Sequence, residues 1–124
     1  NRMTSNERAS LLENRLIDFT VRVLNVSEQL PHIYAAQHLC KQIVRSGSAP
    51  ALLYGEARGA ESPSGFRHKI SVSLKELRET HINLKIIKRE GYIAAAQLSE
   101  LLDENNQLIS IFVAIARSLD KRKK

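Results

Sequence analysis

A strict seven-residue repeat near the carboxyl end constrains the fold of this chain more than any other feature. Its positions follow one another at intervals of three and four residues, and all but one are apolar: Leu98, Leu101, Asn105, Leu108, Phe112, Ile115 and Leu119. Such intervals place side chains on one face of an α-helix, and a sustained period of seven is typical of helices that pack side by side. The repeat therefore predicts a long helix that packs lengthwise against other helices.

The amino-terminal part of the chain shows the same spacing. Apolar residues occupy positions 12, 16, 19, 23, 26 and 30, and they are preceded by Thr4 and Glu7, which have the spacing of a capping box. Pro31 cannot continue a helix without the loss of a backbone hydrogen bond. We therefore expect a first helix that begins after Thr4 and ends before Pro31.

Another periodic segment begins at Phe66 and continues through positions 70, 74, 77, 81 and 84. Ser62 and Pro63 precede it as an N-cap residue and a first-turn proline, in the order that helices favour. Gly91 follows it, and glycine is common just after the last turn of a helix. The third helix is therefore expected between Ser62 and Gly91.

The stretch SGSAPALLYGEARGAES, residues 46–62, has the composition of a loop but continues a periodic segment that begins at Ile33. The phase of that segment survives Pro50 and reaches Arg58. A loop here would shorten the second helix to about 14 residues and leave half of a bundle groove uncovered. We expect one helix that is kinked near Pro50. A phosphate-binding loop is disfavoured, because neither GxGxxG nor GxxxxGK[ST] occurs and no strand precedes the stretch.

These four segments predict an all-α fold. Short connections imply antiparallel neighbours, hence an up-down-up-down four-helix bundle. The composition agrees, because only 5 glycines and 3 prolines occur among 124 residues, fewer than a turn-rich all-β chain needs. A chain of this length fits one domain. We assign residues 1–120 to a single bundle domain and residues 121–124 to a basic C-terminal tail.

The hairpin of the second and third helices is expected to bring polar residues together. Because its turn is centred between residues 62 and 63, residues at equal height have numbers that add up to about 125. The matching levels are Glu56 with Lys69, Arg45 with Glu79 or Thr80, and Ser48 with Glu76 or Leu77. We interpret five residues as a structural polar seam, at least partly buried, that fixes the register: Arg45, Glu56, Lys69, Glu76 and Glu79. The alternative is a polar pocket for a small ligand or a phosphate beside Pro50.

No arrangement of residues points to catalysis or to a metal. A di-metal site in a four-helix bundle needs Glu-x-x-His on two helices, and this motif does not occur. His32, His38, His68 and His81 are spaced so that no two share a helical face as in H-x-x-x-H. Cys40 and His38 lie on different sides of their helix, so Cys40 is interpreted as a small core residue. We therefore predict no catalytic residue, no metal site and no cofactor, and we expect that the chain is not an enzyme.

The net charge of +6 raises the alternative of RNA or other nucleic-acid binding. Four of the positive charges form the terminal run Lys121, Arg122, Lys123 and Lys124, which is expected to be a solvated, frayed end. The other basic residues considered for nucleic-acid contact are Arg67, Lys75, Lys85, Lys88 and Arg89. Stacking platforms are scarce, because tryptophan is absent and only three tyrosines occur. If the tail alone binds, deletion of residues 121–124 should abolish the affinity.

Three stretches of the sequence resemble a known family. IVRSGSAPALLYGEARGAES, FRHKISVSLKELRET and QLISIFVAIARSL are similar to segments of the four-helix-bundle family named after proteins encoded in 23S ribosomal RNA intervening sequences. The likeness extends from about Leu16 to Leu119, and Arg-Ser-Gly followed by Tyr-x-Glu-Ala is its most specific part. It implies a left-handed up-down bundle and pentameric assemblies. It does not imply an enzyme, and the family's genomic setting suggests an association with nucleic acid. Leu53 stands where the family commonly has Asn, so any hydrogen bond of that Asn is absent here.

The apolar arc of the fourth helix is wider than one bundle core requires. At 100° per residue, the apolar residues from Ile111 round to Val113 span about 200°, whereas a helix that faces only its own core needs little more than about 100°. The first helix adds a second stripe of Ile17, Val21 and Leu24. Monomers rarely leave such a patch exposed. We predict a homo-oligomer formed through helices one and four, and the resemblance points to a ring of five.

The sequence gives no indication of a membrane partner. No apolar run approaches the roughly 20 residues that span a bilayer, and residues 1–10 lack the apolar stretch of a signal peptide. A single cysteine excludes an internal disulfide. We therefore expect a cytoplasmic protein.

Overall fold

The computed structural model describes residues 2–60 and 62–123, without the side chains of residues 122 and 123. Its helices are α1 (Ser5–Gln29), α2 (Tyr34–Arg58), α3 (Pro63–Glu90) and α4 (Ala95–Lys123). No strand occurs within the described ranges. The prediction of an all-α fold is confirmed.

The start of α1 and both ends of α3 lie where the sequence predicted them, because local hydrogen bonds fix them. Oγ1 of Thr4 accepts from the backbone N–H of Glu7 at 3.0 Å, and Oε1 of Glu7 accepts from the N–H of Thr4 at 2.9 Å. This completes a capping box that satisfies two otherwise unpaired N–H groups. Oγ of Ser62 accepts from the N–H of Gly65 at 3.1 Å. Gly91 ends α3 with a φ of 75°, in the left-handed region that glycine adopts without strain.

α2 runs without interruption through Pro50, as its periodic pattern predicted. Gly47, three residues earlier, is buried against α1, and a Cβ atom at this position would lie 2.7 Å from Cγ1 of Val23. The two helices therefore approach so closely here that only glycine fits. Oγ1 of Thr20 lies 3.1 Å from the carbonyl oxygen of Gly47 and gives it a hydrogen-bond donor. The kink near Pro50 stays a prediction.

The seven-residue repeats of all four helices form the core. Its fully buried large side chains include Leu16, Phe19, Ile43, Ile70, Leu77, Leu84, Leu98, Leu108 and Phe112. The rings of Tyr54 and Phe112 meet edge to face, with their centroids 5.9 Å apart and their planes at 74°. Asn105, the polar member of the α4 repeat, is fully buried and donates from Nδ2 to the carbonyl oxygen of Leu77 at 3.1 Å. The repeat thus positions both the apolar layers and one polar contact between α3 and α4.

Each helix packs against its neighbours in the sequence, and α1 also contacts α4. The protein is therefore a four-helix bundle. The contact between α1 and α4 is the sparsest of the four. Along α2 and α3 the partners' numbers run in opposite directions, because Glu56 contacts Lys69 whereas Arg45 contacts Glu76. This agrees with an antiparallel hairpin, while the full up-down-up-down order and the left hand of the bundle stay predictions.

The basic run at the carboxyl end continues α4, whose helical backbone extends to Lys123. The boundary placed at residue 120 therefore does not coincide with a helix end. Lys121 is exposed, whereas the side chains of Arg122 and Lys123 and all of Lys124 lie outside the described residues. None of the described helices is both long and apolar enough to cross a bilayer.

Candidate functional site

The polar seam between α2 and α3 contains ion pairs at the predicted heights. Nζ of Lys69 lies 2.7 Å from Oε1 of Glu56. Arg45 contacts two carboxylates, that of Glu76 at 2.7 Å and that of Glu79. The five residues of the predicted seam therefore form two separate clusters, one near each end of the hairpin's polar edge.

The predicted burial of the seam is wrong for both α2 residues. The side chain of Glu56 is 58% exposed and that of Arg45 is 53% exposed. Only Glu76 is buried, with 7% of the residue exposed. The reason is that small side chains such as those of Ser46 and Thr80 fill the buried interface of the two helices. The long charged side chains therefore pair along its rim.

The hairpin also contains a buried polar contact that was not predicted from the sequence. The hydroxyl oxygens of Ser46 and Thr80 lie 2.8 Å apart, and both residues are fully buried. Ser48, expected at the height of Glu76, instead donates to the carbonyl oxygen of Val44 at 2.6 Å within its own helix. The mirror rule that paired the charged residues also pairs position 46 with position 79 or 80, so this signal was available in the sequence.

The described residues contain no group of three or more His, Cys, Asp or Glu side chains that could hold a metal ion. Cys40 is half-buried against the core, and its Sγ lies 3.6 Å from the carbonyl oxygen of Ser27. This environment matches the interpretation of Cys40 as a small core residue.

An apolar groove opens between the first half of α1 and the second half of α4. Its volume is about 620 Å³. The apolar residues that line it include Leu11, Leu12, Tyr54, Ile111, Ala114 and Ile115. Leu11 and Ala114 are exposed to solvent. We call this feature the α1–α4 groove, and it exists because α1 and α4 make the sparsest helix contact of the bundle.

Two arginines line the α1–α4 groove and differ in their partners. Arg15 donates from Nε and Nη2 to the two carboxylate oxygens of Glu104, both at 2.8 Å. These hydrogen bonds raise the pKa of Arg15 above its ordinary value. Arg8 donates to the carbonyl oxygen of Met3 at 3.0 Å and contacts Oγ of Ser5 at 3.4 Å. Among the described residues no carboxylate pairs with Arg8, so it is a free positive charge at the groove.

A second apolar surface lies on the outside of α1. It consists of Ile17 and Val21, whose exposed fractions are 46% and 49%, and we call it the outer patch. Leu52 of α2 is 67% exposed. Glu13, four residues before Ile17, pairs with Arg58 of α2 at 3.3 Å. Residues four apart share a helix face, so Ile17 and Val21 lie toward the α2 side of α1.

The second apolar stripe of α4 is not left uncovered as its wide arc suggested. Leu102, Ile109 and Ala116 pack against the core. α3 covers this flank, because Nζ of Lys88 reaches Oγ of Ser99, one helical turn before Leu102, at 3.2 Å. On the other side of α4, which lines the α1–α4 groove, Ala114 is exposed.

Four basic residues of α3 form an exposed stripe. Lys75, Lys85 and Arg89 were considered from the sequence, and the structure adds Arg78, which that analysis missed. All four are exposed. Together with Ile82 they occupy positions 75, 78, 82, 85 and 89, at intervals of three and four residues. The same spacing rule that identified the core could have identified this face. We call these four residues the α3 basic stripe.

The remaining basic candidates lie apart from the stripe. Lys88 is exposed but reaches toward Ser99 of α4. Arg67 is half-buried, and its Nε is buried with no hydrogen-bond partner among the described atoms. Beside the stripe, burial and then the positive charge of Lys85 lower the pKa of His81 below 6.5.

Comparison with known families supports the fold and identifies the lineage. The model of the 23S rRNA-intervening sequence protein family matches residues 12–114, which include parts of all four helices. The chain belongs to this family. A solved structure from Bacteroides thetaiotaomicron, described as a protein with unknown function from the S23 ribosomal protein family, is similar with a TM-score of 0.79 and 27% identity. The match covers 85% of this chain and 97% of that one. No curated protein gives a significant match. The family resemblance read from the sequence is thus confirmed.

Proposed function

We propose that this family member is a cytoplasmic, non-enzymatic module that associates with further copies of itself. The observation that carries this proposal is the apolar surface left open on both flanks of α1. On one flank lies the α1–α4 groove, and on the other lies the outer patch with two large side chains about half exposed. Water contact with this much apolar surface is unfavourable, by roughly 25 cal/mol for each Å². Self-association removes that contact, and the family resemblance favours a ring of five.

Thermal unfolding at several protein concentrations tests the self-association. Because copies bind the folded chain and not the unfolded one, the Tm should rise as the concentration is raised about a hundredfold. A Tm that stays constant over that range would contradict the proposal.

A second candidate function is the binding of RNA, and the α3 basic stripe favours it. Its four cations lie on one exposed helix face, where phosphates can approach them. Each neutralised phosphate lowers the slope of log K against log salt by roughly 0.7 to 0.9. Four contacts therefore predict a slope near −3 to −4 in mobility shifts with structured RNA.

Two variants distinguish the stripe from the terminal basic run. Lys75, Arg78, Lys85 and Arg89 are changed together to Gln in one variant, and residues 121–124 are deleted in the other. If the stripe binds, the first variant loses the salt-dependent shift and the second retains it. The reverse result would assign the affinity to the terminal run, and no shift for the unmodified protein would remove this candidate function.

A further inference from the structure

A smaller pocket lies where the start of α2 meets the end of α3. Its volume is about 370 Å³, within the roughly 300–1,000 Å³ of pockets that hold small organic groups. The residues that line it include Tyr34, His38, Ile86, Glu90 and Tyr92, and we call it the tyrosine pocket. Two of the three tyrosines of the chain therefore meet at one place.

The two tyrosines differ in their surroundings. Tyr92 is half-buried and packs against the core, so it forms a fixed part of the pocket wall. Tyr34 is the first residue of α2 and is 91% exposed, so its ring is accessible to another planar group. Every nucleobase has a flat face that stacks on such a ring. The pocket therefore offers an aromatic surface to a base that lies outside a double helix.

The tyrosine pocket adjoins the α3 basic stripe. Ile86, which lines the pocket, follows Ile82 by four residues and precedes Arg89 by three. Residues at these intervals are neighbours on the surface of a helix, so the stripe ends beside the pocket. Arg89 is exposed, and within the described part of the chain it makes no ion pair. A phosphate held by Arg89 would therefore lie next to the pocket.

We propose that the tyrosine pocket holds one unpaired base of an RNA whose phosphates lie along the α3 basic stripe. The base stacks on Tyr34, and Arg89 contacts a flanking phosphate. RNA with all of its bases paired does not fit, because a double helix keeps each base stacked between its neighbours, whereas loops and bulges release single bases. This inference rests on the second candidate function, RNA binding by the stripe, and specifies which part of an RNA is recognised.

Glu90 gives the pocket a preference among bases. It is exposed, and among the described residues it has no cationic partner. An ionised carboxylate accepts hydrogen bonds but donates none. It accepts from the amino group of cytosine, whereas uracil has a carbonyl oxygen at the same position, which would repel the carboxylate. We therefore expect a bulged cytosine to bind more tightly than a bulged uracil.

Three short RNA hairpins with the same stem test the pocket: one is fully paired, one carries a single bulged cytosine, and one carries a single bulged uracil. Affinities are measured by fluorescence anisotropy at several salt concentrations. Tyr34→Ala removes the stacking ring, and Tyr34→Phe retains it. Leu52→Ala, at another exposed position of α2 outside the pocket, is the control. Circular dichroism verifies folding, and Ile86→Ala, which removes part of the pocket wall, replaces Tyr34→Ala if that variant is unfolded.

The protein should bind the cytosine bulge about tenfold more tightly than the paired hairpin, because stacking adds to the phosphate contacts. Tyr34→Ala should lose this preference, whereas Tyr34→Phe and Leu52→Ala keep it. None of these variants should change the slope of log K against log salt, since no phosphate contact is removed. Glu90→Gln, whose amide both donates and accepts, should narrow the difference between the cytosine and uracil bulges.

Other outcomes overturn the inference in distinguishable ways. If the protein binds all three hairpins equally, or if Tyr34→Ala weakens binding to the paired and bulged hairpins by the same factor, RNA binding survives and the base pocket is wrong. Equal affinity for the two bulges would contradict the preference assigned to Glu90. Displacement of the hairpin by an equal concentration of cytidine monophosphate would make the pocket a site for free nucleotides rather than for RNA. If no hairpin binds, the second candidate function fails and the pocket inference fails with it.

Discussion

Glu56 and Arg45 are similarly exposed but have partners in different surroundings, so their removal should have unequal effects. Glu56→Ala breaks an ion pair that water already screens, which should cost about 0.2–1 kcal/mol of unfolding free energy. Arg45→Ala leaves the buried carboxylate of Glu76 without its cation, and the cost should be about 1–3 kcal/mol. Urea unfolding of the two variants measures the difference. Equal losses would show that the two clusters share one environment.

His81 should make the bundle sensitive to mild acid. Burial and the charge of Lys85 lower its pKa in the folded state below the unfolded value of 6.5. Between the two pKa values the unfolded chain binds more protons than the folded one. The unfolding free energy is therefore highest above pH 6.5 and falls as the pH drops from 6.5 toward the lower pKa of the folded state. His81→Gln should lose less unfolding free energy than the wild type between pH 7 and pH 5. Parallel pH profiles for the two proteins would contradict this assignment.

At the scale of single residues, the sequence predicted which charged side chains pair but not how deeply they are buried. The height of each charged pair followed from the antiparallel hairpin, because the mirror rule needs only the position of the turn. The burial of these charged pairs could not be predicted from the sequence, since it depends on how closely α2 and α3 approach. That distance is set by Ser46 and Thr80, two small residues whose contact is visible only across the interface.

At the scale of the helices, α1 and α2 approach closely where Gly47 meets Val23, and this contact should tolerate no added methyl group. Gly47→Ala improves helix propensity by up to about 1 kcal/mol, but its Cβ would lie 2.7 Å from Val23. The overlap should outweigh the gain and give a net loss of about 1–3 kcal/mol. Gly55→Ala is the matched control, because its Cβ would meet no atom within 4 Å, and it should stabilise the protein. Chemical denaturation tests both, and stabilisation by Gly47→Ala would contradict the close contact.

The helix ends could be predicted because the residues that fix them act locally. The capping box of Thr4, the serine-proline pair before α3 and Gly91 all act within a few residues, and periodicity carried α2 through Pro50. The flank of α4 was not predictable in the same way. A helical wheel gives the width of the apolar arc but not which neighbour covers each side. Leu102 and Ile109 pack against the core, on the flank where Lys88 of α3 reaches Ser99.

At the scale of the whole molecule, the number of chains in the assembly depends on which apolar surfaces stay exposed, and periodicity alone does not give it. The sequence indicated that α1 had more apolar surface than one bundle core could bury, and the outer patch and the α1–α4 groove are where that surplus lies.

Sedimentation equilibrium of the unmodified protein at micromolar concentration measures how many chains associate. The open surfaces of α1 predict a mass that is a multiple of the 14.0 kDa chain, and a ring of five predicts about 70 kDa. A mass of about 28 kDa would retain self-association and reject the ring of five. A single species of 14.0 kDa at every concentration would show that the chain does not self-associate.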